Sequence, residues 1–340
     1  MTERILDFSE RPARLNVRNG LLVINFSVAP SFSPASAALK DGATNDLPAD
    51  EDTGATETPN GRDPESGLRA RSAQEQTIPL ADIAVLIAAH PQISFSHAVL
   101  SGLAEAGGMF IACNQKRMPC AMLLPLDTHS TQTERFQAQA SLPLPNRKRL
   151  WQQIVRAKIR AQARLLKEST EGDWGLEMLA AAVRSGDPQN VEARAARIYW
   201  KNLFGQDNFR RNPEGEGLNP ALNYGYAILR AVTARALCAA GLHPSLGIHH
   251  HNRYDTFCLA DDLVEPFRPI VDRAVAALRE QREGDPELDR ETKRAILEAL
   301  LARFNADGES RTLFDWVNRT AQSLASAIES GEKKLEIPLL

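Results

Sequence analysis

The hydrophobic pattern changes period part-way along the chain. Up to about residue 126 the apolar positions come in short β-type runs: LNVR and LLVINF on either side of Asn19-Gly20, TIPLADIAVLIAA from Thr77, then MFIAC and CAMLLPL. Asn-Gly is the dipeptide best suited to a two-residue turn with positive φ, so a hairpin is predicted there. Ser96 reads as the N-cap of a helix running to Gly107. From about His129 the period becomes helical. Trp151, Val155, Ile159 and Leu166 share one face, and Arg149, Arg156, Arg160, Arg164 and Lys167 lie opposite. Asp187-Pro188 opens a second helix as cap and first residue, with Glu192 in its opening turns. Asn219-Pro220 opens a third, which runs through Leu222, Tyr226, Leu229 and Leu237 and stops at Gly241 before Pro244. Leu288 to Phe304 reads as an amphipathic helix, and the segment after Gly331 as a packing or partner segment. The expected fold is α+β: a small N-terminal β-rich domain over 1–108, a strand or linker over 109–128, and a larger all-α domain over 129–340.

Lys158 and Gln162 break the helical pattern, because 100° per residue places both inside the apolar stripe near Trp151. A buried ammonium is costly without a partner. Two placements are open: it holds an internal acid, or it lines the place where a polyanion enters.

With 340 residues, 43% of them hydrophobic, the chain has enough material for two cores. Its longest apolar run, Ile83 to Ala89, is too short to span a bilayer, and MTERILDFSERP has no signal-peptide character. The chain is read as cytoplasmic, without a membrane partner. Cys113, Cys120, Cys238 and Cys258 have no CxxC spacing and are expected to be small buried thiols. The formal charge of −3 is unevenly spread: residues 31–66 carry −6 and the remainder +3. That acidic segment, rich in Ala, Pro, Ser, Gly and Thr, has no periodicity, and a disordered insertion is expected over about 28–75. By contrast, residues 141–167 hold eight basic residues and no acid, which suits a phosphate backbone as well as a solvated surface.

The candidate chemistry concentrates in GLHPSLGIHHHNRYDTFCLADDLVEPFRPIVDR, residues 241–273. Three consecutive histidines, 249–251, precede Asp261, Asp262 and Glu265. On a helix Asp262 and Glu265 share a face and Arg268 lies a further three residues along, with Pro266 and Pro269 interrupting. Imidazole with one or two carboxylates is a partial ligand set for a divalent ion. The same acids also suit the decoration of a helix start. No GxxxxGK, GxSxG or HExxH is present, which argues against nucleotide hydrolysis, serine-esterase and zincin chemistry.

The block GLHPSLGIHHHNRYDTFCLADDLVEPFRP, with VEARAARIYW and ALNYGYAIL, resembles the Cas-one family, the integrases of CRISPR adaptation, and its type II members in particular. The resemblance extends more loosely to the opening strands and to LWQQIVRAKIRAQARLL. It places the acid of the family's E-(G/A)-x-A-A-R motif on Glu192, the histidine of G-(F/I)-x-H on His250 and the last acid of D-L-x-E on Glu265. Glu192, His250 and Glu265 are thereby the implied catalytic residues and ligands of Mg²⁺ or Mn²⁺. Asp262 becomes an auxiliary acid. Arg253, Lys158, Arg156, Arg160 and Arg164 are the DNA-binding candidates. The implied activity is insertion of new spacers by attack of a DNA 3′-hydroxyl on a repeat phosphodiester. The implied partners are a prespacer duplex and a CRISPR repeat, a second copy of the chain, the Cas-two protein in a heterohexamer, and Cas nine. The rival reading is a non-catalytic DNA-binding scaffold; a metallohydrolase of small molecules is disfavoured by the basic face and by the lack of a Cys/His zinc pattern.

Overall fold

The computed structural model describes residues 3–26, 75–115, 119–125, 129–205, 209, 211–331 and 334–340. The expected disordered insertion lies outside the described residues, except at its last position.

The N-terminal part runs β1 (Arg4–Phe8), β2 (Ala13–Arg18), β3 (Leu21–Phe26), β4 (Glu75–Pro79), β5 (Ile83–Ala88), β6 (Ser94–Phe95), α1 (His97–Glu105), β7 (Met109–Cys113) and β8 (Pro119–Leu123). Asn19 and Gly20, at φ 52° and 73°, make the expected two-residue turn, and Arg18 pairs with Leu21. The strands form two four-stranded sheets, β1-β5-β7-β8 and β4-β3-β2-β6. Strand β5, IAVLIA, is buried at all six positions because its sheet is covered on both faces. Val85 and Ile87 join Ile5, Met109 and Ile111 in the larger core under the helices. Leu86, Ala88, Phe8 and Phe110 pack instead with Leu15, Leu22 and Ile24 of the second sheet. Strands β7 and β8 pair within the first sheet, so Met109–Cys113 and Pro119–Leu123 belong to the β-rich part.

The helical part comprises α2 (Gln132–Ala140), α3 (Leu144–Ser169), α4 (Leu176–Ala182), α5 (Val191–Phe204), α6 (Asn219–Ala239), α7 (Cys258–Val264), α8 (Arg268–Gln281), α9 (Arg290–Leu301), β9 (Arg303–Ala306), β10 (Glu309–Thr312) and α10 (Leu313–Ser330). Trp151, Val155, Ile159 and Leu166 are buried, as the wheel for α3 requires, each contributing about 1.5–3 kcal/mol or more by leaving water. Helix α6 is buried along most of its length and is the central post of the domain. Pro266 and Pro269 interrupt the next helix as expected: a single 3₁₀ turn, Glu265–Phe267, joins α7 to α8.

Three expectations are corrected. The domain is not all-α: the predicted helix 288–304 ends at Leu301 and gives way to the β9–β10 hairpin, turned by Asp307 and Gly308 at φ 50° and 78°. Asp-Gly is as strong a hairpin signal as Asn-Gly, but the flanking strands are only four residues each, too short to break the helical pattern visibly. Helix α5 begins at Val191 rather than Pro188, although Asp187 still caps it, accepting from the backbone N–H groups of Val191 at 2.9 Å and Glu192 at 3.0 Å. Of the four cysteines only Cys238 and Cys258 are buried; Cys113 is half-buried and Cys120 exposed. The C-terminal segment packs on α3: Leu335 and Leu340 are buried, Leu335 N–H donates to Gln153 Oε1 at 2.9 Å, and Arg164 donates to the carbonyl of Leu339 at 2.7 Å.

Candidate active site

Three elements converge. Helix α3 supplies Lys158 from its buried stripe, α5 supplies Glu192 from its first turn, and the 3₁₀ turn after α7 supplies Glu265. The ammonium of Lys158 lies 2.6 Å from Glu192 Oε1 and 2.6 Å from Glu265 Oε2. Arg268, one turn beyond Glu265, reaches Glu265 Oε1 at 3.1 Å. Burial pushes the Glu265 carboxyl up, but the Arg268 and Lys158 charges outweigh it and hold the group at about 2. The same carboxylates hold Lys158 above the usual lysine range against its own desolvation. Glu265 Oε2 is buried and faces the Lys158 ammonium as an ion pair.

The histidine loop is fastened to α7 by Asp262. Its Oδ2 accepts from the N–H groups of Ile248 at 2.6 Å and His249 at 2.9 Å, and its Oδ1 from His250 N–H at 3.2 Å. The same Oδ1 lies 2.7 Å from His250 Nδ1, so Nδ1 is assigned as the protonated nitrogen and Nε2 keeps its lone pair. This hydrogen bond raises the His250 pKa. Gly247 makes the close approach possible: a Cβ there would stand 2.3 Å from the His250 carbonyl oxygen and 2.9 Å from Cys258 Cβ. His249 stacks on Trp151, ring centroids 4.2 Å apart and planes parallel, and its desolvation depresses its pKa. His251 is exposed.

The structure therefore brings Glu192 and Glu265 onto one ammonium and ties His250 to Asp262 of α7, the helix that leads into Glu265. Among the described residues no set of three His, Cys, Asp or Glu side chains stands disposed to hold a metal ion, and the two glutamates close on Lys158. Of its two sequence-level placements, Lys158 takes the one that holds internal acids. Asp261 faces Arg230 through two contacts of 2.6 and 2.8 Å, and burial pushes its carboxyl up to about 6.

The basic face of α3 divides. Arg156 donates to the carbonyls of Val183 at 2.8 Å and Ala181 at 3.4 Å, at the C-terminus of α4. Arg164 is engaged by Glu168 and Leu339, whereas Arg160 is exposed. Arg253 lies on an exposed loop with its guanidinium 5.2 Å from the Tyr254 ring centre.

Two features went unread in the sequence. Trp151, assigned only to the core, also forms the floor under His249. Asp272 of α8 accepts hydrogen bonds from Tyr199 of α5, at 2.7 Å, and from Tyr226 of α6. The guanidinium of Arg268 lies 4.7 Å from the centre of the Tyr226 ring. An acid within the apolar stripe of α8 was the available signal.

Fold and site define a two-part α+β protein whose helical domain carries a carboxylate–lysine–carboxylate centre beside a carboxylate-held histidine. The model of the family "CRISPR associated protein Cas1" matches residues 65–301, and the chain belongs to that family. A CRISPR-associated endonuclease Cas1 of Neisseria meningitidis serogroup C (strain 8013) is 35% identical over 275 residues, covering 80% of this chain and 90% of the relative. Among solved structures, a casposase bound to integration product superposes with a TM-score of 0.69 at 20% identity, covering 98% of this chain and 92% of that one. A Cas6-RT-Cas1–Cas2 complex superposes with a TM-score of 0.67 at 16% identity, covering 100% of this chain and 36% of that one. At these identities the two structures establish the shared fold. Among the described residues no helix is long and apolar enough to cross a membrane.

Proposed function

We propose that this chain is the integrase of CRISPR adaptation and that its chemistry depends on a divalent metal, Mg²⁺ or Mn²⁺. The observation that carries the reading is the meeting of Glu192 and Glu265 at one cation, Lys158, beside a histidine whose Nδ1 is tied to Asp262. The residues suit such an ion. Two carboxylates and an imidazole nitrogen are the donor set of a hard or borderline divalent ion, and Glu265 Oε2 is a buried acceptor faced by the Lys158 ammonium. Glu192, His250 and Glu265 would hold it.

When bound, the ion supplies Lewis-acid polarisation of a phosphodiester and lowers the pKa of an attacking 3′-hydroxyl. The chain's own residues do the rest. Asp262 orients His250, Arg268 fixes Glu265, and the exposed Arg160 and Arg253 would meet backbone phosphates. One phosphodiester is exchanged for another, so the reaction needs no protein nucleophile and no nucleotide. The DNA partner, a second copy of the chain and the Cas-two protein follow from the family reading, supported by the fold shared with a complex containing Cas1 and Cas2. The type II assignment rests on the resemblance of the block around His249–His251.

A strand-transfer assay with a prespacer duplex, a repeat-containing plasmid and the Cas-two partner tests this. Glu192→Gln, His250→Ala and Glu265→Gln each reduce joining by about 10²-fold or more while duplex binding persists. Undiminished joining in all three variants refutes this site, and the absence of any Mg²⁺- or Mn²⁺-dependent nicking or joining returns the chain to a scaffold role.

A further inference from the structure

Lys158 stands in the middle of the site. Its side chain is 14% exposed, and its ammonium touches one oxygen of each glutamate. A divalent ion gripping both acids competes with this ammonium, most directly at Glu265, whose other oxygen already meets Arg268. Two cations sharing those oxygens repel strongly where water is scarce. Lys158 therefore has to yield before both carboxylates can serve an ion.

Two features let it yield without dismantling the site. The lysine stem is long and freely rotating, so the ammonium can shift while α3 stays in place. Arg268 remains 3.1 Å from Glu265 Oε1 and keeps that carboxylate oriented. The departing ammonium needs a new anion. The site opens on the side of Glu192, 23% exposed, and His250, 42% exposed. On the reading above, the scissile DNA phosphate enters on that side and brings the required negative charge.

We propose that Lys158 couples metal binding to DNA binding: it holds Glu192 and Glu265 together as their resident cation, passes to a phosphate oxygen when a duplex arrives, and so releases the two carboxylates to the metal. The inference rests on the metal-dependent reading above. It makes Lys158 a positioning residue whose effect is cooperativity between two ligands.

The test is a calorimetric Mn²⁺ titration of the full chain as wild type, K158M and K158R, each with and without a duplex ending in 3′-dideoxynucleotides, corrected for Mn²⁺ taken up by the duplex alone. Wild-type affinity for Mn²⁺ rises about 10-fold or more when the duplex is present. K158M binds Mn²⁺ without DNA about as tightly as wild type does with it, and the duplex adds less than about 2-fold. K158R keeps the wild-type dependence. An equal duplex effect in wild type and K158M overturns the coupling but leaves the metal site standing. No Mn²⁺ binding in any protein, with or without DNA, overturns the metal reading itself. K158Q replaces K158M if the latter does not fold, and a wild-type affinity unmoved by the duplex is sufficient to overturn the proposal.

Discussion

Asp262 holds His250 twice, by its ring Nδ1 at 2.7 Å and by its backbone N–H at 3.2 Å, and through its other oxygen it also holds the two preceding residues of the loop. The acid that the sequence offered as auxiliary is thus what builds the histidine site. Asp262→Asn tests this with little change of shape. With the amide oxygen kept on the N–H groups of Ile248 and His249, its NH₂ faces His250 Nδ1, which must then accept. The ring proton moves to Nε2, and the lone pair that would bind a metal is lost. We expect Mn²⁺ affinity to fall about 10–100-fold, with a mainly native circular-dichroism spectrum. Asp262→Ala leaves several buried N–H donors unpaired at about 1–3 kcal/mol each, and should lower the urea midpoint markedly.

Glu265 is buried between Lys158 and Arg268, and these cations hold its pKa at about 2 despite desolvation. A depressed carboxyl contributes stability that is present above its ordinary value near 4.5 and is lost as pH falls toward 2. Glu265→Gln strands both cations against a neutral amide, and breaking one partner from a buried ion cluster costs about 3–5 kcal/mol. Adding Lys158→Met removes one stranded charge. The double variant should therefore lose less stability than the sum of the two single losses, read from denaturation midpoints. Additive losses would show that the pair does not interact.

How much of this was legible in the sequence follows from what each residue type can do locally. Asn19-Gly20 declared its hairpin because positive φ at two successive positions is a backbone property that few dipeptides tolerate. The apolar face of α3 showed because helix period and burial coincide there, and Lys158 stood out because it violates both. Glu192, His250 and Glu265 became a site only through the resemblance, since spacing alone also allowed a solvated acidic helix start. What stayed illegible was tertiary. Nothing near Trp151 in the chain announces His249, and nothing near Asp272 announces Tyr199 and Tyr226. The β9–β10 hairpin was hidden by brevity.

The basic face of α3 gives a contrast between two arginines one turn apart. Arg156 spends its donors on the last carbonyls of α4, whereas Arg160 is exposed. Arg156→Ala should lower stability by about 1 kcal/mol, leaving duplex affinity nearly unchanged. Arg160→Ala should leave the melting temperature unchanged, weaken duplex binding, and reduce the slope of log affinity against log salt by about 1. Fluorescence anisotropy at several salt concentrations, with thermal melts of both variants, decides. Equal salt slopes in wild type and Arg160→Ala would remove Arg160 from the DNA surface.

Asp272 gives a pH prediction of opposite sign to that of Glu265. Its side chain is buried, and burial pushes its carboxyl from 3.8 up to about 6, outweighing the hydrogen bonds from Tyr226 and Tyr199 and the charges of Arg268 and Arg211. In the unfolded chain the same carboxyl ionises near 3.8, so between about pH 4 and 6 the folded state binds more protons than the unfolded one. The contribution of Asp272 to stability is fully present below about pH 4, declines as pH rises through 6, and is smaller by about 3 kcal/mol at neutral pH. Asp272→Asn does not titrate, and the tyrosine hydroxyls can accept from its NH₂ as readily as donate to its oxygen. Relative to wild type, the variant should gain stability from pH 4 to pH 7, measured as urea midpoints across that range. A difference that stays constant with pH would falsify the assignment. Because Tyr199 lies two turns along α5 from Glu192, and Tyr226 carries Arg268 on its ring, the comparison also reports on the joint that sets Glu192 against Glu265.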